Sequence, residues 1–310
     1  MLNDSQNGFR VKFRGVRGSY PTPYHNFLEY GGNTACIEVN VNNHLIILDA
    51  GTGIIRLGQE LVRDYITQPV KQDINATILL SHTHLDHIQG LPFFQPLHLK
   101  SSSVNIIGCA EYTKSIDEVL SGLLFEKSFP LDMAEIAANL SFGDINDSFA
   151  LIFSPDAYAP ELQKIESDED TIPVDDEVVV SCLKSNSHPK DGVMLYKIAY
   201  RDKSIVYATD KESFVGGDKR LAMFARETDL LIHDAQYTTD EYINSCVSKQ
   251  GYGHSTFDMA LEASSQAHAK QLAFFHLDPN YNDDMLHEIE NHYNKRNAFI
   301  AKEGQEIVLL

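Results

Sequence analysis

Apolar residues in the first half of the chain come in short runs of strand length, separated by polar or turn-forming residues. Phe9 to Phe13, Ala35 to Val41 and Leu45 to Leu48 predict strands, the last two joined across Asn42-Asn43. The loop Asp49-Ala50-Gly51-Thr52-Gly53 opens a predicted helix over Ile54 to Tyr65, and Ala76 to Leu80 predicts a buried strand that stops at Ser81. Thr113 to Leu124 and Leu131 to Asn139 read as helices. Val178 to Leu183 returns as a strand, and Val193 to Tyr200 with Ser204 to Ala208 predicts a hairpin turning at Arg201-Asp202. Leu230 to Ile232 and Gln271 to Phe275 read as strands, Ser255 or Thr256 caps a helix running to about Ala269, and Met285 to Ala298 reads as a helix. Strands that end in short polar loops and alternate with helices predict sheet layers covered by helices, hence one α/β domain over residues 1–310.

Composition narrows the class. With 43% apolar and 22% charged residues the chain is globular rather than disordered. Met1 to Gly8 lacks an apolar leader, and no run approaches the 18 apolar residues of a membrane span, so a cytoplasmic protein without membrane contact is expected. Cys36, Cys109, Cys182 and Cys246 stand far apart without a C-x-x-C pair and read as free thiols. The 25 basic and 44 acidic residues leave a net charge of −19, which repels a long nucleic acid over most of the surface. A small anionic substrate remains compatible, because a metal centre supplies positive charge locally. Glu166 to Glu177 carries seven acidic residues and reads as a solvated loop, with a mobile flap beside the site as the alternative.

The chemistry concentrates where predicted strands end. Ile78-Leu79-Leu80 leads to His82, His84, Asp86 and His87; Val206 to Thr209 leads to Asp210; Leu272 to Phe275 leads to His276; and Val178 to Leu183 leads through a short loop to His188. Strand ends on one sheet edge converge, so residues distant in sequence can build one pocket. Neutral imidazole and carboxylate suit borderline and hard dications. Three histidines and an aspartate within six residues would be costly to desolvate without partners, so a metal is the economical explanation. His82 and His84 can face one ion, Asp86 and His87 a second, and Asp210 is placed to bridge them.

The segment His82-Thr83-His84-Leu85-Asp86-His87 resembles the H-x-H-x-D-H signature of the metallo-β-lactamase fold superfamily, and His188, Asp210 and His276 follow in the same order over nearly the whole chain. Gly31-Gly32-Asn33-Thr34 and Asp49 to Gly53 resemble the framework near its start. The resemblance implies a four-layer αββα sandwich. It also implies two divalent ions, Zn first with Mn or Fe as alternatives: His82, His84 and His188 on one, Asp86, His87 and His276 on the other, Asp210 between them. His84 stands where the di-iron flavoprotein branch carries Glu, which argues against redox chemistry, and Asp210 stands where several true lactamases carry Cys. Gly253-His254-Ser255-Thr256 resembles the H-S-T segment of the phosphodiesterase branch, which includes the tRNA 3′-processing endonuclease. His233 to Tyr237 resembles the segment whose acid orients that histidine, with Asp234 in place of a longer Glu.

These residues imply a dinuclear hydrolase in which a hydroxide shared by two ions attacks a phosphodiester, Asp86 orients it, and His254 held by Asp234 stabilises or protonates the leaving oxygen. The endonucleases dock RNA with a Gly-rich basic arm; no such segment occurs here, so a small substrate such as a cyclic nucleotide is expected, with an RNA-processing nuclease as one alternative. Hydrolysis of a thioester, ester or lactam is another, disfavoured by His254 and Asp234, and a non-catalytic binding module is a third. Related phosphodiesterases often form homodimers, and the same is expected here.

Overall fold

Alternation in the first strand separates the two faces of a sheet: in Phe9–Gly15 (β1), Phe9, Val11 and Phe13 are buried while the residues between them are half-exposed. The computed structural model describes residues 8–109, 114–125, 128–167, 171–214, 216–244, 246–293 and 297–310. The remaining elements of the first half are β2 (Cys36–Val41), β3 (His44–Leu48), α1 (Gly53–Thr67), β4 (Ile74–Leu79), α2 (Leu85–Ile88), β5 (Ser102–Gly108), α3 (Ile116–Leu120), β6 (Asn139–Asp144), β7 (Phe149–Phe153) and β8 (Glu161–Lys164). The second half holds β9 (Val178–Ser185), β10 (Val193–Tyr200), β11 (Lys203–Ala208), α4 (Lys219–Phe224), β12 (Leu230–Asp234), α5 (Thr239–Asn244), α6 (Phe257–Ala267), β13 (Leu272–Phe275), α7 (Asp283–Tyr293), β14 (Ala298–Ile300) and β15 (Glu306–Val308).

Among the described residues the strands form two mixed sheets. One is ordered β15-β1-β2-β3-β4-β5-β6 and the other β14-β13-β12-β11-β10-β9-β7-β8. The core between them takes Phe13, Val39 and Leu48 from the first and Tyr196, Tyr207 and Phe275 from the second. Ile47, Ala76 and Ile78, on the opposite face of the first sheet, pack with Ile54 and Leu57 of α1 and Ile116 of α3. The second sheet is covered by α4, α6 and α7, with Phe257 and Leu261 reaching its strands. The layers are therefore αββα, the sandwich implied by the histidine motif. No helix among the described residues is long and apolar enough to cross a membrane.

In each sheet a run of parallel strands, β3-β4-β5-β6 in one and β11-β12-β13-β14 in the other, sends its carboxyl ends toward a common edge. This convergence puts the chemistry at one end of the sandwich.

Several expected elements fall differently. Leu131 to Asn139 is not a helix: a 3₁₀ turn at Met133–Glu135, with Asp132 and Glu135 in a capping box, leads straight into β6, because Ala138 N–H donates to Leu97 O and β6 pairs with β5. The expected helix from Thr113 shortens to α3 followed by a π-type turn over Ser121–Phe125, and Thr113 lies outside the described residues. The last helix starts earlier, at Asp283, and Ala298 belongs to β14, where parallel pairing with β13 outweighs local propensity. Residues 168–170 of the acidic stretch lie outside the described residues. Its neighbour Asp176 is held by Asn42 and by Arg201 at the β2–β3 and β10–β11 turns, the end of the sandwich opposite the histidines. The described part of Glu166 to Glu177 is therefore an anchored surface segment rather than a flap beside the site.

Candidate metal centre

β4 delivers Ser81 at its carboxyl end, where the buried Asp49 carboxylate, just past β3, accepts from Ser81 N–H at 2.7 Å. The chain runs extended through His84 and coils into α2, so His82 and His84 precede the helix while Asp86 and His87 occupy its first turn. Asp210 follows β11, Asp234 ends β12, His276 follows β13, and His188 lies in the loop after β9. Asp210 and His276 meet α2 itself, His188 meets His84 just before it, and Asp234 stands behind His276. Every expected ligand is thus brought to one place.

Two groups form. His82, His84 and His188 lie together, with His84 Nδ1 and His188 Nε2 3.0 Å apart; Asp86, His87 and His276 lie together, with the His87 and His276 Nε2 atoms 3.2 Å apart. Asp210 stands between them. Its Oδ1 is 3.1 Å from His87 Nε2 and 3.2 Å from His276 Nε2, and its Oδ2 is 3.7 Å from both His82 Nε2 and His188 Nε2. Ligands about 2.1 Å from a tetrahedral ion stand about 3.4 Å from one another, the scale of these separations.

Two observations test whether an ion fits. His82 Nε2 is buried without a hydrogen-bond partner, while its Nδ1 faces Ser81 Oγ at 3.0 Å. A buried ring nitrogen with an unmet lone pair is costly unless a cation takes it. Moreover, Asp49, Asp86, Asp210 and Asp234 are all buried, and among the described residues none of them pairs with Lys or Arg. Two dications would set +4 against these −4. The donor set suits divalent ions, and the fold implies a dinuclear divalent site.

The imidazoles are tuned accordingly. Burial pushes His82 far down, lowers His84, and takes His188 to about 4, so these rings offer neutral nitrogen. Burial would also lower His87, but Asp210, Asp86 and Asp49 around it drive it upward, so without an ion the ring holds a proton where a cation belongs. Outer hydrogen bonds fix three of the rings: His87 Nδ1 to Asp49 Oδ2 at 2.7 Å, His188 Nδ1 to Gly253 O at 3.2 Å, and His276 Nδ1 to Gln236 Oε1 at 3.2 Å. Packing is tight enough to demand glycine nearby. A Cβ on Gly253 would stand 2.3 Å from His188 Nδ1 at a φ of +90°, and one on Gly18 would stand 2.4 Å from His276 Cε1.

His254 joins this cluster from the loop before α6. Its Nδ1 is 2.7 Å from Asp234 Oδ2, and its ring lies 5.2 Å from that of His188 and 5.0 Å from that of His276. The shorter side chain of Asp234 therefore reaches the histidine directly, its Oδ1 meanwhile accepting from Ser255 and Gln236 N–H. Burial opposes charge on His254, yet the adjoining Asp234 carboxylate raises it to about 9. His233, by contrast, is buried in the core with Nδ1 on the Asp234 carbonyl, apart from both groups.

Asp49, Ser81 and Gln236 were not singled out as site residues from sequence. Asp49 carried the signal: like Asp210, it directly follows a buried strand. It also accepts from Tyr207 Oη at 2.7 Å, which joins the two sheets beneath the site.

The chain is similar in sequence and in fold to known proteins. A family model described as Beta-lactamase superfamily domain matches residues 44–277. A ribonuclease Z of Picrophilus torridus is 27% identical over 325 aligned residues, which cover 96% of this chain and 95% of that protein. The metallo-β-lactamase fold protein YhfI of Bacillus subtilis superposes with a TM-score of 0.65 at 17% identity, over 97% of this chain and 100% of its own. The short form of human tRNase Z superposes with a TM-score of 0.59 at 18% identity, over 96% and 98%.

Proposed function

The chain belongs to the β-lactamase superfamily and is a metal-dependent hydrolase of its phosphodiesterase branch, and from that premise we propose that it cleaves a small nucleotide phosphodiester such as a cyclic nucleotide. The observation that carries the choice of phosphodiester is the His254–Asp234 pair, 2.7 Å apart at the edge of both proposed ligand groups. A carbonyl substrate needs no such pair.

We assign His82, His84 and His188 to one ion, Asp86, His87 and His276 to the other, and Asp210 to both; Zn²⁺ suits this donor set, with Mn²⁺ and Fe²⁺ as competitors. Bound divalent ions supply an acidified water and electrostatic stabilisation of the phosphoryl oxygens. The chain's own residues do the rest. Asp234 engages His254 Nδ1 and so leaves Nε2 to carry the proton delivered to the leaving alkoxide. Ser19 N–H donates to Asp86 Oδ2 at 2.7 Å, and this fixes the carboxylate that we assign to orient the attacking water. Neutral His82, His84 and His188, discharged by burial, keep local positive charge with the ions and with His254.

The small substrate rests on the net charge of −19, which makes wrapping of a polyanion unfavourable. A second reading, an RNA-processing nuclease, is favoured by the full-length similarity to a ribonuclease Z. One panel separates them: cyclic and linear nucleotides, a precursor tRNA, a chromogenic phosphodiester, a thioester and a lactam, each assayed with defined metals. Cyclic nucleotide turnover is expected to exceed the rest. Preferred cleavage of precursor tRNA would overturn the small-substrate reading, and preferred thioester turnover would overturn both.

A further inference from the structure

A cavity of about 550 Å³ opens on the flank of the cluster where His188 and Gly251 form part of its wall. Phe214 stands on its lining with 59% of its surface exposed, an unusual position for a phenylalanine on a loop rather than in a core. Pro189 and Met259 add apolar surface, and the exposed Asn186 and Gln250 add neutral polar side chains. Glu212 also borders it, but its carboxylate is spent internally: it accepts from Tyr242 Oη and from the N–H groups of Gly251 and Gly253. Those bonds hold the loop that carries His254. The loop bearing Phe214 is steadied as well, since the buried Lys211 pairs with Asp218 at 2.6 Å and its ammonium lies 5.8 Å from the Phe214 ring centroid.

A second cavity of about 390 Å³ borders His82 and His84 on the other side of Pro189, lined by Leu85, Leu123 and Lys190. Among the described residues it has no Phe or Tyr on its lining. The two cavities therefore differ in what they select: one presents a phenylalanine ring and the neutral side chains of Asn186, Ser187 and Gln250, the other aliphatic surface with both an ammonium and a carboxylate, Lys190 and Asp191. Flat heteroaromatic rings stack on exposed aromatic side chains with little regard for ring identity.

We propose that the Phe214 cavity is a nucleoside subsite, in which Phe214 stacks against the base of a nucleotide whose phosphate sits at the His188 corner. This rests on the phosphodiesterase reading above and names the part of the substrate that the chain recognises. Phe214 acts here as a specificity residue.

The test is calorimetric binding of adenosine and uridine 5′-monophosphates, against methyl phosphate, to the Zn-loaded protein. At least one nucleotide is expected to bind about tenfold or more tightly than methyl phosphate, and Phe214→Ala should remove most of that difference while Phe214→Tyr keeps it. Exposure of the ring makes loss of folding in Phe214→Ala unexpected, and an unchanged circular dichroism melt verifies this. Equal affinity of the wild-type protein for nucleotides and methyl phosphate overturns the subsite, as does a nucleotide preference that survives Phe214→Ala. Turnover of thymidine 5′-(p-nitrophenyl phosphate) and methyl p-nitrophenyl phosphate, which share a leaving group, separates the two readings. Phe214-dependent nucleotide binding without turnover of either ester sinks the phosphodiesterase reading and spares the subsite. Turnover of both with no nucleotide preference does the reverse.

Discussion

Replacing Asp49 with Asn tests whether the second ion depends on a carboxylate that touches no ion itself. Asp49 is fully buried, and two rigid donors fix its oxygens: Ser81 N–H on Oδ1 at 2.7 Å and His87 Nδ1 on Oδ2 at 2.7 Å. Oδ2 also receives the Tyr207 and Ser81 hydroxyls, at 2.7 and 2.8 Å. An amide has one acceptor and one NH₂, so it must set the NH₂ against one of the rigid donors. Against Ser81 N–H there is no escape, because a backbone amide cannot accept, and the loss is about 1–3 kcal/mol of stability. In the Oδ2 position both hydroxyls can rotate to accept, and His87 can change tautomer. That orientation wins. It leaves the proton on His87 Nε2, the atom that faces His276, Asp86 and Asp210.

Asp49→Asn is therefore expected to weaken one of two Zn²⁺ sites by about 10–100-fold, or about 1.4–2.7 kcal/mol, and to leave the other near wild type. The metal-free variant should lose no more than about 1–2 kcal/mol in urea, because most of the hydrogen bonds are remade. Competition against a chromophoric chelator in zinc buffers reads both affinities, and urea titration of the stripped protein reads the rest. Two sites with unaltered affinity would refute the tautomer argument. A fall in folding stability of more than about 3 kcal/mol with both affinities kept would show that Asp49 serves the inter-sheet core instead.

His254→Ala is expected to lower phosphodiester turnover by about 10²–10⁴-fold with metal content unchanged, measured by steady-state kinetics beside elemental analysis. Gly18→Ala sets a methyl group 2.4 Å from His276 Cε1, so the purified variant should retain close to one ion where the parent retains two. Asp176→Ala removes an exposed ion pair with Arg201 at the far end of the sandwich; it should leave the urea midpoint, kcat and KM near wild type, whereas a changed KM would restore the acidic segment as a flap.

Much of the site was legible because its ligands are local in sequence or follow apolar strands. His82 to His87 is one continuous segment, and Asp210 and His276 each follow a run buried on both faces. The edges of the sheets were not legible, for a physical reason. Every residue of β8 is exposed, and β6 offers only Leu140 and Phe142 in alternation, too short a pattern to read by itself, so pairing with β7 and β5 is what makes them strands. Leu131 to Asn139 failed in the opposite sense: Leu, Met, Ala, Glu and Ile favour a helix locally, but the backbone of Ala138 is engaged by Leu97 and Asn139 is already paired.

Asp49 shares its strand-end position with Asp210, but its role is defined by partners 32 to 158 residues away, so the position alone did not reveal what it does. Its backbone belongs to the same scheme as the ligands. Asp49, Asp210 and His276 all follow parallel strands and have φ values of 61°, 49° and 58°, in the left-handed region. For an L residue that conformation costs about 1 kcal/mol or more, and glycine would relieve it while deleting the functional side chain. The strain bends the chain sharply where each strand ends. Asp86, His87, His82 and His84 arrive from the first sheet, and His188, Asp210 and His276 from the second, so each proposed ion takes ligands from both. An ion bound in either group would act as a cross-link between the sheets at the end where they carry the most buried charge. Folding free energy spent on three left-handed residues and four buried carboxylates would be recovered on metal binding, which couples stability of this end of the sandwich to occupancy of the site.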